Sequence, residues 1–287
     1  AYLVAFDLGT HELGFALGTE HPRLDWSARV PPERRPAALP GPDGFASAAP
    51  LVRTGMLSPA ALGHVVAAFT GGFKREHGAF RHGPLAAVNH GSHYGFVEQG
   101  VVFSRLQPGL ATLFVQIDGA VGMGSWSPAL AARLGPLRHA RQNGLPLVES
   151  GPDGAAVIGR QVQRWATGNW SGSPGEQLRT LRAGACIAGH EGRRFLLYGY
   201  FSTATPLAMA QAFVGYGCSY AMHLDMNALE HTYLALYPRS GAVRGVEHLV
   251  PGMAVLDRRE RGQLMPRFLA FPDDRDFFYL MQRAPAR

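Results

Sequence analysis

Gly217-Cys218-Ser219-Tyr220-Ala221-Met222-His223-Leu224-Asp225-Met226-Asn227-Ala228-Leu229-Glu230-His231-Thr232-Tyr233 is the stretch on which the reading of this chain turns. Just upstream, Thr205-Pro206 has the chemistry of a helix start, threonine at the cap and proline at the first helical position. Leu207, Met209, Ala210, Phe213 and Val214 follow at helical spacing, and Gly217 supplies a stop. Before that helix, Phe195-Leu196-Leu197-Tyr198-Gly199-Tyr200-Phe201 is an apolar, aromatic run of the kind that forms a buried strand. Strand, helix and strand together predict a βαβ unit whose second strand covers Tyr220 to Leu224. That strand runs into Asp225, Asn227, Glu230 and His231, and in such sheets ligands bind beyond the carboxyl ends of the strands. The cluster is therefore a candidate site. The plainer alternative is that Asp225 and Asn227 form a turn and that Glu230 and His231 open a solvated segment.

Working outward, residues 1–19 read as a hairpin, Tyr2 to Asp7 and Leu13 to Leu17, turned at Gly9-Thr10-His11. Residues 20–54 carry Pro31-Pro32, Pro36, Pro40 and Pro42 among arginine and alanine and read as a long irregular connection. Ser58-Pro59 is a helix start, and Val65-Val66-Ala67-Ala68-Phe69 is a buried-strand run ending in Thr70-Gly71-Gly72-Phe73. Paired glycines there allow positive φ and let a ligand approach backbone amides, although Gly-Gly after a strand is also an ordinary turn. Hairpins are expected at Gln99-Gly100 and at Asp118-Gly119, the latter a strong local signal. Leu145 to Glu149 reads as a short strand with an acid at its end. Arg182 precedes a strand containing Cys186 and Ile187, which turns at Glu191-Gly192 into the strand at Phe195. After residue 237 the chain reads as loop until closing strands at Arg267–Phe271 and Asp276–Met281. With no repeat and no break in composition, the expectation is an α+β fold: one domain over 1–287, with a mixed central β-sheet, flanking helices and a C-terminal extension over 238–287.

Composition excludes some partners. The formal charge of +6 rests almost wholly on arginine, since Lys74 is the one lysine among 27 basic residues, and it comes without a basic block. Nucleic-acid binding would want a basic face with interleaved stacking aromatics, and none is present. The arginine, alanine, glycine and proline bias fits a GC-rich bacterial source. A modest attraction for small anions remains. No run of about twenty apolar residues exists, so membrane insertion is not expected. The chain opens inside a strand-like segment with no charged leader region, as expected if a signal peptide has been removed. Cys186 and Cys218 leave open a disulfide, if their strands are neighbours, or two buried thiols. His77, His82, His90 and His93 lie among glycines, where they could cover the site or form a metal site around His90 and His93; the first reading is preferred, and no metal or other cofactor is expected. Trp170, in the Gly168–Gly175 stretch, could offer a carbohydrate-stacking platform or simply pack inward.

Several of these fragments, in this order, resemble the phosphodiester glycosidase family. Val66-Ala67-Ala68-Phe69-Thr70-Gly71-Gly72-Phe73 is similar to the family's strand ending in Asn-Gly-Gly-Phe. Gly95-Phe96, Asp118-Gly119 and Trp126 are similar to its following meander, and Arg141-Gln142-Asn143 with Pro146-Leu147-Val148-Glu149 to a segment of its bacterial members. Arg182 matches the arginine of an Arg-Ser-hydrophobic-Gly segment, and Gly217 through Asn227 the Gly-x-x-x-Ala-hydrophobic-x-Leu-Asp strand. The departures are Thr70 for asparagine, Ala183 for serine, Cys186 for glycine, and Met226-Asn227-Ala228-Leu229 for a glycine-rich Gly-Gly-Gly-Ser.

The resemblance implies a hydrolase that cleaves a sugar-1-phosphodiester in a bacterial glycan or exopolysaccharide, in an extracytoplasmic setting. Such a reaction needs a carboxylate, to activate water or stabilise an oxocarbenium-like state, and a cation for the phosphate. Guanidinium suits the second task because it offers two parallel donors. On that basis Arg182 would hold the phosphate, helped by amides at Gly71 and Gly72, and Asp225 would be the carboxylate. Glu149 and Glu230 are the other candidate acids, while Thr70, Asn227, His231 and Arg141 are candidate substrate contacts. The alternatives are a non-catalytic glycan-binding domain on the same scaffold and a metal-dependent hydrolase using the histidine-rich stretch. Sugar, acceptor and oligomeric state are left open.

Overall fold

The computed structural model describes residues 1–26, 28, 30–74, 94–163, 176–240 and 243–283. The candidate histidines at 77, 82, 90 and 93 and the Gly168–Gly175 stretch lie outside these. In chain order the first strands are β1 (Tyr2–Asp7), β2 (His11–Ala16), β3 (Val65–Thr70), β4 (Phe96–Glu98), β5 (Val101–Ser104), β6 (Ala111–Gln116) and β7 (Val121–Ser125). Then come β8 (Leu137–Gln142), β9 (Pro146–Ser150), β10 (Ala156–Ile158), β11 (Thr180–His190), β12 (Arg193–Ala204) and β13 (Cys218–Met226). The last are β14 (Leu234–Leu236), β15 (Arg239–Ser240), β16 (Val243–Arg244), β17 (Glu247–His248), β18 (Arg258–Glu260), β19 (Gln263–Met265) and β20 (Phe277–Gln282). Among the described residues helices are few and mostly short: α1 (Pro59–Leu62), α2 (Pro128–Arg133), α3 (Arg160–Gln163) and α4 (Pro206–Gly215).

Three sheets share one core. The first runs β1-β12-β11-β13-β9-β10, the second β17-β14-β3-β20-β2 and the third β5-β4-β8-β6-β7, with β15-β16 and β18-β19 as small separate ribbons. Every pairing among the described strands is antiparallel. The fold is thus predominantly β, and the expected mixed sheet is corrected to antiparallel sheets with, among the described residues, one substantial helix. The predicted βαβ crossover has a simple explanation in the register. Strands β12 and β13 do run in the same direction, but β11 lies between them and pairs antiparallel with both.

Helix α4 starts where its sequence says it should: the Thr205 hydroxyl accepts from the Ala208 amide at 3.1 Å, Pro206 opens the helix and Gly217 leaves it at φ +74°. Its buried side chains include Met209 and Phe213. They rest on a notch formed by Gly184 and Gly199, which face each other across β11 and β12. A Cβ at either glycine would come within 3.0 Å of the Phe213 ring, so the notch lets the helix sit close to the sheet.

Two other expectations change. Strands β1 and β2 do not form a hairpin; β1 pairs with β12 and β2 with β20, so the turn at Thr10 passes the chain from one sheet to another. Arg267–Phe271 is a turn rather than a strand. The 238–287 segment, set apart by sequence, nevertheless supplies β20 to the interior of the second sheet, between β3 and β2. Hairpins at Gln99-Gly100 and Asp118-Gly119 are present, with φ of +49° and +81° at the first pair and +86° at Gly119. Cys186 and Cys218 form a disulfide between neighbouring strands β11 and β13, 5.8 Å apart at Cα. Such bonds persist in oxidising compartments, so the bond is compatible with a location outside the cytoplasm. No helix among the described residues is long and apolar enough to cross a membrane.

Candidate functional site

Strands β3 and β13 end near each other, and the chain just before β20 crosses beneath both. This brings Thr70-Gly71-Gly72, Asp225 and the charged run Asp273-Asp274-Arg275-Asp276 into one region. Two ionic clusters result, one sealed and one reaching the surface.

The sealed cluster centres on Arg141, at the end of β8. Its Nε donates to Asp276 Oδ2 at 2.9 Å and its Nη2 to Asp276 Oδ1 at 3.3 Å. Nη1 also donates to Asn143 Oδ1 at 2.5 Å and the Gln142 carbonyl at 2.8 Å, and Nη2 to the Phe73 carbonyl at 2.8 Å. Asn143 in turn donates to the carbonyls of His223 and Leu224 on β13. The guanidinium carbon lies 5.3 and 5.2 Å from the ring centres of Tyr94 and Phe96. Burial alone would raise the Asp276 carboxyl, yet the adjacent Arg141 and His21 hold it well below the usual carboxylate range.

Gly71 and Gly72 belong to this knot. A Cβ on Gly71 would lie 2.2 Å from Asp276 Oδ2, and one on Gly72, which has φ +148°, would lie 2.5 Å from Arg141 Nη1. The Gly71 amide donates to the Asp276 carbonyl at 2.9 Å. Here the glycines admit the buried ion pair rather than leaving both amides open to an anion. Thr70 donates its hydroxyl to the His231 carbonyl at 2.8 Å.

The second cluster is built on Arg275. Its Nη1 donates to Asp225 Oδ2 and, at 3.3 Å, to the Gly72 carbonyl. Its Nε is 3.5 Å from Glu230 Oε1. Nη2 is buried and makes no hydrogen bond among the described residues. Burial works against the charge of Arg275, but Asp225 and then Glu230 and Asp274 more than restore it and raise its pKa. Glu230 is 44% exposed and also faces Lys74 Nζ at 3.9 Å; Lys74 is held by Asp274 at 2.9 Å. His231 Nδ1 donates to the Met226 carbonyl at 2.7 Å. Nε2 of the same ring is 4.0 Å from Glu230 Oε1.

The predicted residues are thus brought only partly together. Asp225 is 1% exposed; its Oδ1 accepts from the Met226 amide and its Oδ2 from Arg275, not Arg182. Arg182, also buried, donates to the carbonyls of Ala204 and Leu178 and to the Met226 sulfur. Burial pulls its pKa down to about 10. Asp225, Gly72 and Glu230 meet at Arg275, and His231 Nδ1 lies 3.7 Å from Asp225 Oδ1, while Arg182 reaches Met226, the residue after Asp225. Glu149 sits elsewhere, accepting from the Arg160 amide at the start of α3. Asn227 is exposed at φ +77° and accepts from the Thr180 hydroxyl at 2.9 Å. Arg141 is fully enclosed in its knot.

Lys74, Arg275, Asp274 and Asp276 were not singled out as site residues from the sequence. The one available signal was the charge density of Asp273-Asp274-Arg275-Asp276 immediately before an apolar strand. His223, between the clusters, is buried edge-on to Phe73, and burial with the charge of Arg182 keeps its pKa well below the usual imidazole value. No group of three or more His, Cys, Asp or Glu among the described residues could hold a metal ion.

Fold and site together define a β-rich domain of three antiparallel sheets with a partly buried ionic site where β3 and β13 end. No protein-family model matches the chain. No curated protein sequence matches it either. Among solved structures it is similar to the zebrafish N-acetylglucosamine-1-phosphodiester alpha-N-acetylglucosaminidase catalytic domain, auto-inhibited by its pro-peptide. That similarity has a TM-score of 0.49 at 11% identity, over 98% of this chain and 83% of that one. A hypothetical protein from Synechocystis gives a TM-score of 0.39 at 13% identity, over 98% of this chain and 59% of that one. Both are remote likenesses in the course of the chain and say nothing about the chemistry of its side chains.

Proposed function

We propose that this protein is an extracytoplasmic bacterial hydrolase that cleaves the bond between a sugar's anomeric carbon and a phosphodiester oxygen in a glycan or exopolysaccharide. Two things support this reading: the ordered motif resemblance in the sequence, and the arrangement around Glu230. The second carries it, because a half-exposed carboxylate lies within 4.0 Å of two cations, Lys74 and Arg275, and of an imidazole nitrogen. Nη2 of the same Arg275 guanidinium has no hydrogen-bond partner among the described residues.

In the proposed reaction Lys74 and Arg275 neutralise the non-bridging phosphate oxygens. Glu230 removes a proton from water as the water attacks the anomeric carbon, and the proton stays on Glu230. The carbon–oxygen bond breaks with its electron pair going to the phosphate, which departs as a monoester. Because that leaving group is already stable, no strong general acid is required. Asp225 serves by fixing Arg275, and Arg182 by tying together the ends of β11, β12 and β13.

The test is release of phosphate monoester from a GlcNAc-1-phosphodiester and from other sugar-1-phosphodiesters. Glu230→Gln is expected to lower kcat by about 10²-fold or more, the usual scale for a general base. Equal rates for wild type and variant would remove Glu230 from the mechanism. The enclosure of Asp225 favours one second reading, a non-catalytic glycan-binding domain; absence of turnover across the panel together with measurable glycan binding would select it.

A further inference from the structure

At the opposite end of the six-stranded sheet from the Arg275 site, three turns meet around an open cavity of about 530 Å³. They are the turn after β1, the Asp118-Gly119 hairpin between β6 and β7, and the Glu191-Gly192 hairpin between β11 and β12. Arg193, Arg194 and Arg283 line the cavity, against a single acidic lining residue, Asp7. The size is that of a pocket for a small ring-sized ligand.

Part of the positive charge in this cavity is left uncompensated by the described residues. The Asp7 carboxylate is occupied by Arg193, which binds Oδ2 through Nε at 3.1 Å and through Nη2, and by the Gly9 amide at 2.8 Å on Oδ1. Arg194 donates Nη2 to the Val121 carbonyl at 2.9 Å, which positions the guanidinium without neutralising it. Arg283 donates Nε to the His11 carbonyl at 3.3 Å and has Glu12 at 3.7 Å. Arg194 and Arg283 thus reach the cavity from different sheets, each anchored on a backbone carbonyl and each with donors to spare.

The rest of the lining narrows the ligand. Leu8, Ala120 and Val121 offer small apolar surface, and Thr10 a hydroxyl. Among the described residues no aromatic ring lines the cavity, so a nucleobase would find no stacking wall there. We propose that this cavity is a second binding site for an acidic saccharide, a ring bearing one carboxylate or phosphate. The anionic group would be held between Arg194 and Arg283, and the ring against the turn backbones. The site is independent of the hydrolase reading and lies away from its residues.

Calorimetric titration of the intact protein with short polygalacturonate oligosaccharides, and with neutral dextran of equal length, tests this. Polygalacturonate should bind and dextran should not, with affinity falling as salt is raised. The double variant Arg194→Ala/Arg283→Ala should weaken binding on the order of ten- to hundredfold. It should leave the melting temperature and the hydrolysis of a short diester unchanged. Inorganic phosphate and glucose 1-phosphate separate the sources of the anion: weak competition by free phosphate and stronger competition by the sugar phosphate supports the saccharide assignment. Equal affinity for dextran, or an unaltered affinity in the double variant, overturns the proposal. If that variant is unstable, Glu230→Gln replaces it as a control; loss of polygalacturonate binding there would move the ligand to the other site and overturn the proposal equally.

Discussion

Arg141 and Arg275 are both buried arginines held by an aspartate, yet they differ in what remains once the fold has used them. Arg141 meets a two-oxygen carboxylate contact, an amide oxygen and two carbonyls. Arg275 grips Asp225 through one nitrogen, approaches half-exposed Glu230 with another, and leaves a third without a partner among the described residues. The first arrangement is one a fold needs, since a buried charge must be fully compensated. The second has capacity left over, and it lies where solvent can reach its rim.

The largest expected effect tests that division directly. Asp276→Ala strips Arg141 of its acidic partner among the described residues, in an enclosed site, and should cost about 3–5 kcal/mol of unfolding free energy. Asp225→Ala should cost clearly less, because Glu230 and Asp274 still act on Arg275. Urea melts of the two variants measure both quantities. Equal losses would mean that the Arg275 cluster is as structural as the Arg141 knot, and the case for a reactive rim would collapse.

That contrast also shows how far the sequence could be read. The strand ending at Asp225 was legible because a continuous apolar run with a helix and glycine before it has few other solutions. The Asp118-Gly119 turn was legible because its backbone demands that chemistry. Pairings between distant segments left no local mark. Strand β2 faces β20, more than 260 positions away in the chain for His11 and Gln282, so Gly9-Thr10 looked like a hairpin when it was a passage between sheets. Asp225 and Arg182 came from two separate motif segments and were expected to face one ligand. The actual partner of Asp225, Arg275, sits 50 residues further on, with no motif to join the two. Gly71 and Gly72 were noticed for the right property, room near the backbone, but Asp276 and Arg141 fill that room.

A third carboxylate sharpens the comparison through pH. Glu98, at the end of β4, is largely buried with a backbone hydrogen bond from Leu17, and burial raises its pKa to about 7. The two acids therefore push stability in opposite directions. The depressed Asp276 contributes stability that is complete above the ordinary carboxylate range and is lost as acid protonates it. Glu98 binds its proton more tightly when folded, so it costs stability as pH rises from about 4.5 to about 7. Glu98→Gln should consequently gain about 1–3 kcal/mol at pH 8 and almost nothing at pH 4. A gain that did not change between those pH values would show that its carboxylate is not destabilised by burial.

The smallest effect is the most discriminating for the rim itself. Glu230 is 44% exposed, and its contacts with Lys74 and Arg275 are 3.9 and 3.5 Å long. Screened pairs of this kind are worth about 0–1 kcal/mol, so Glu230→Gln should melt within a few degrees of wild type. A carboxylate that matters little to stability, yet lies beside a buried guanidinium with a donor unused among the described residues, is what a group kept for a ligand would look like. A loss of 3 kcal/mol or more would instead show that Glu230 completes the charge balance of Arg275. Then both arginines would be compensated in full, and what separates them here would be only the depth at which each is buried.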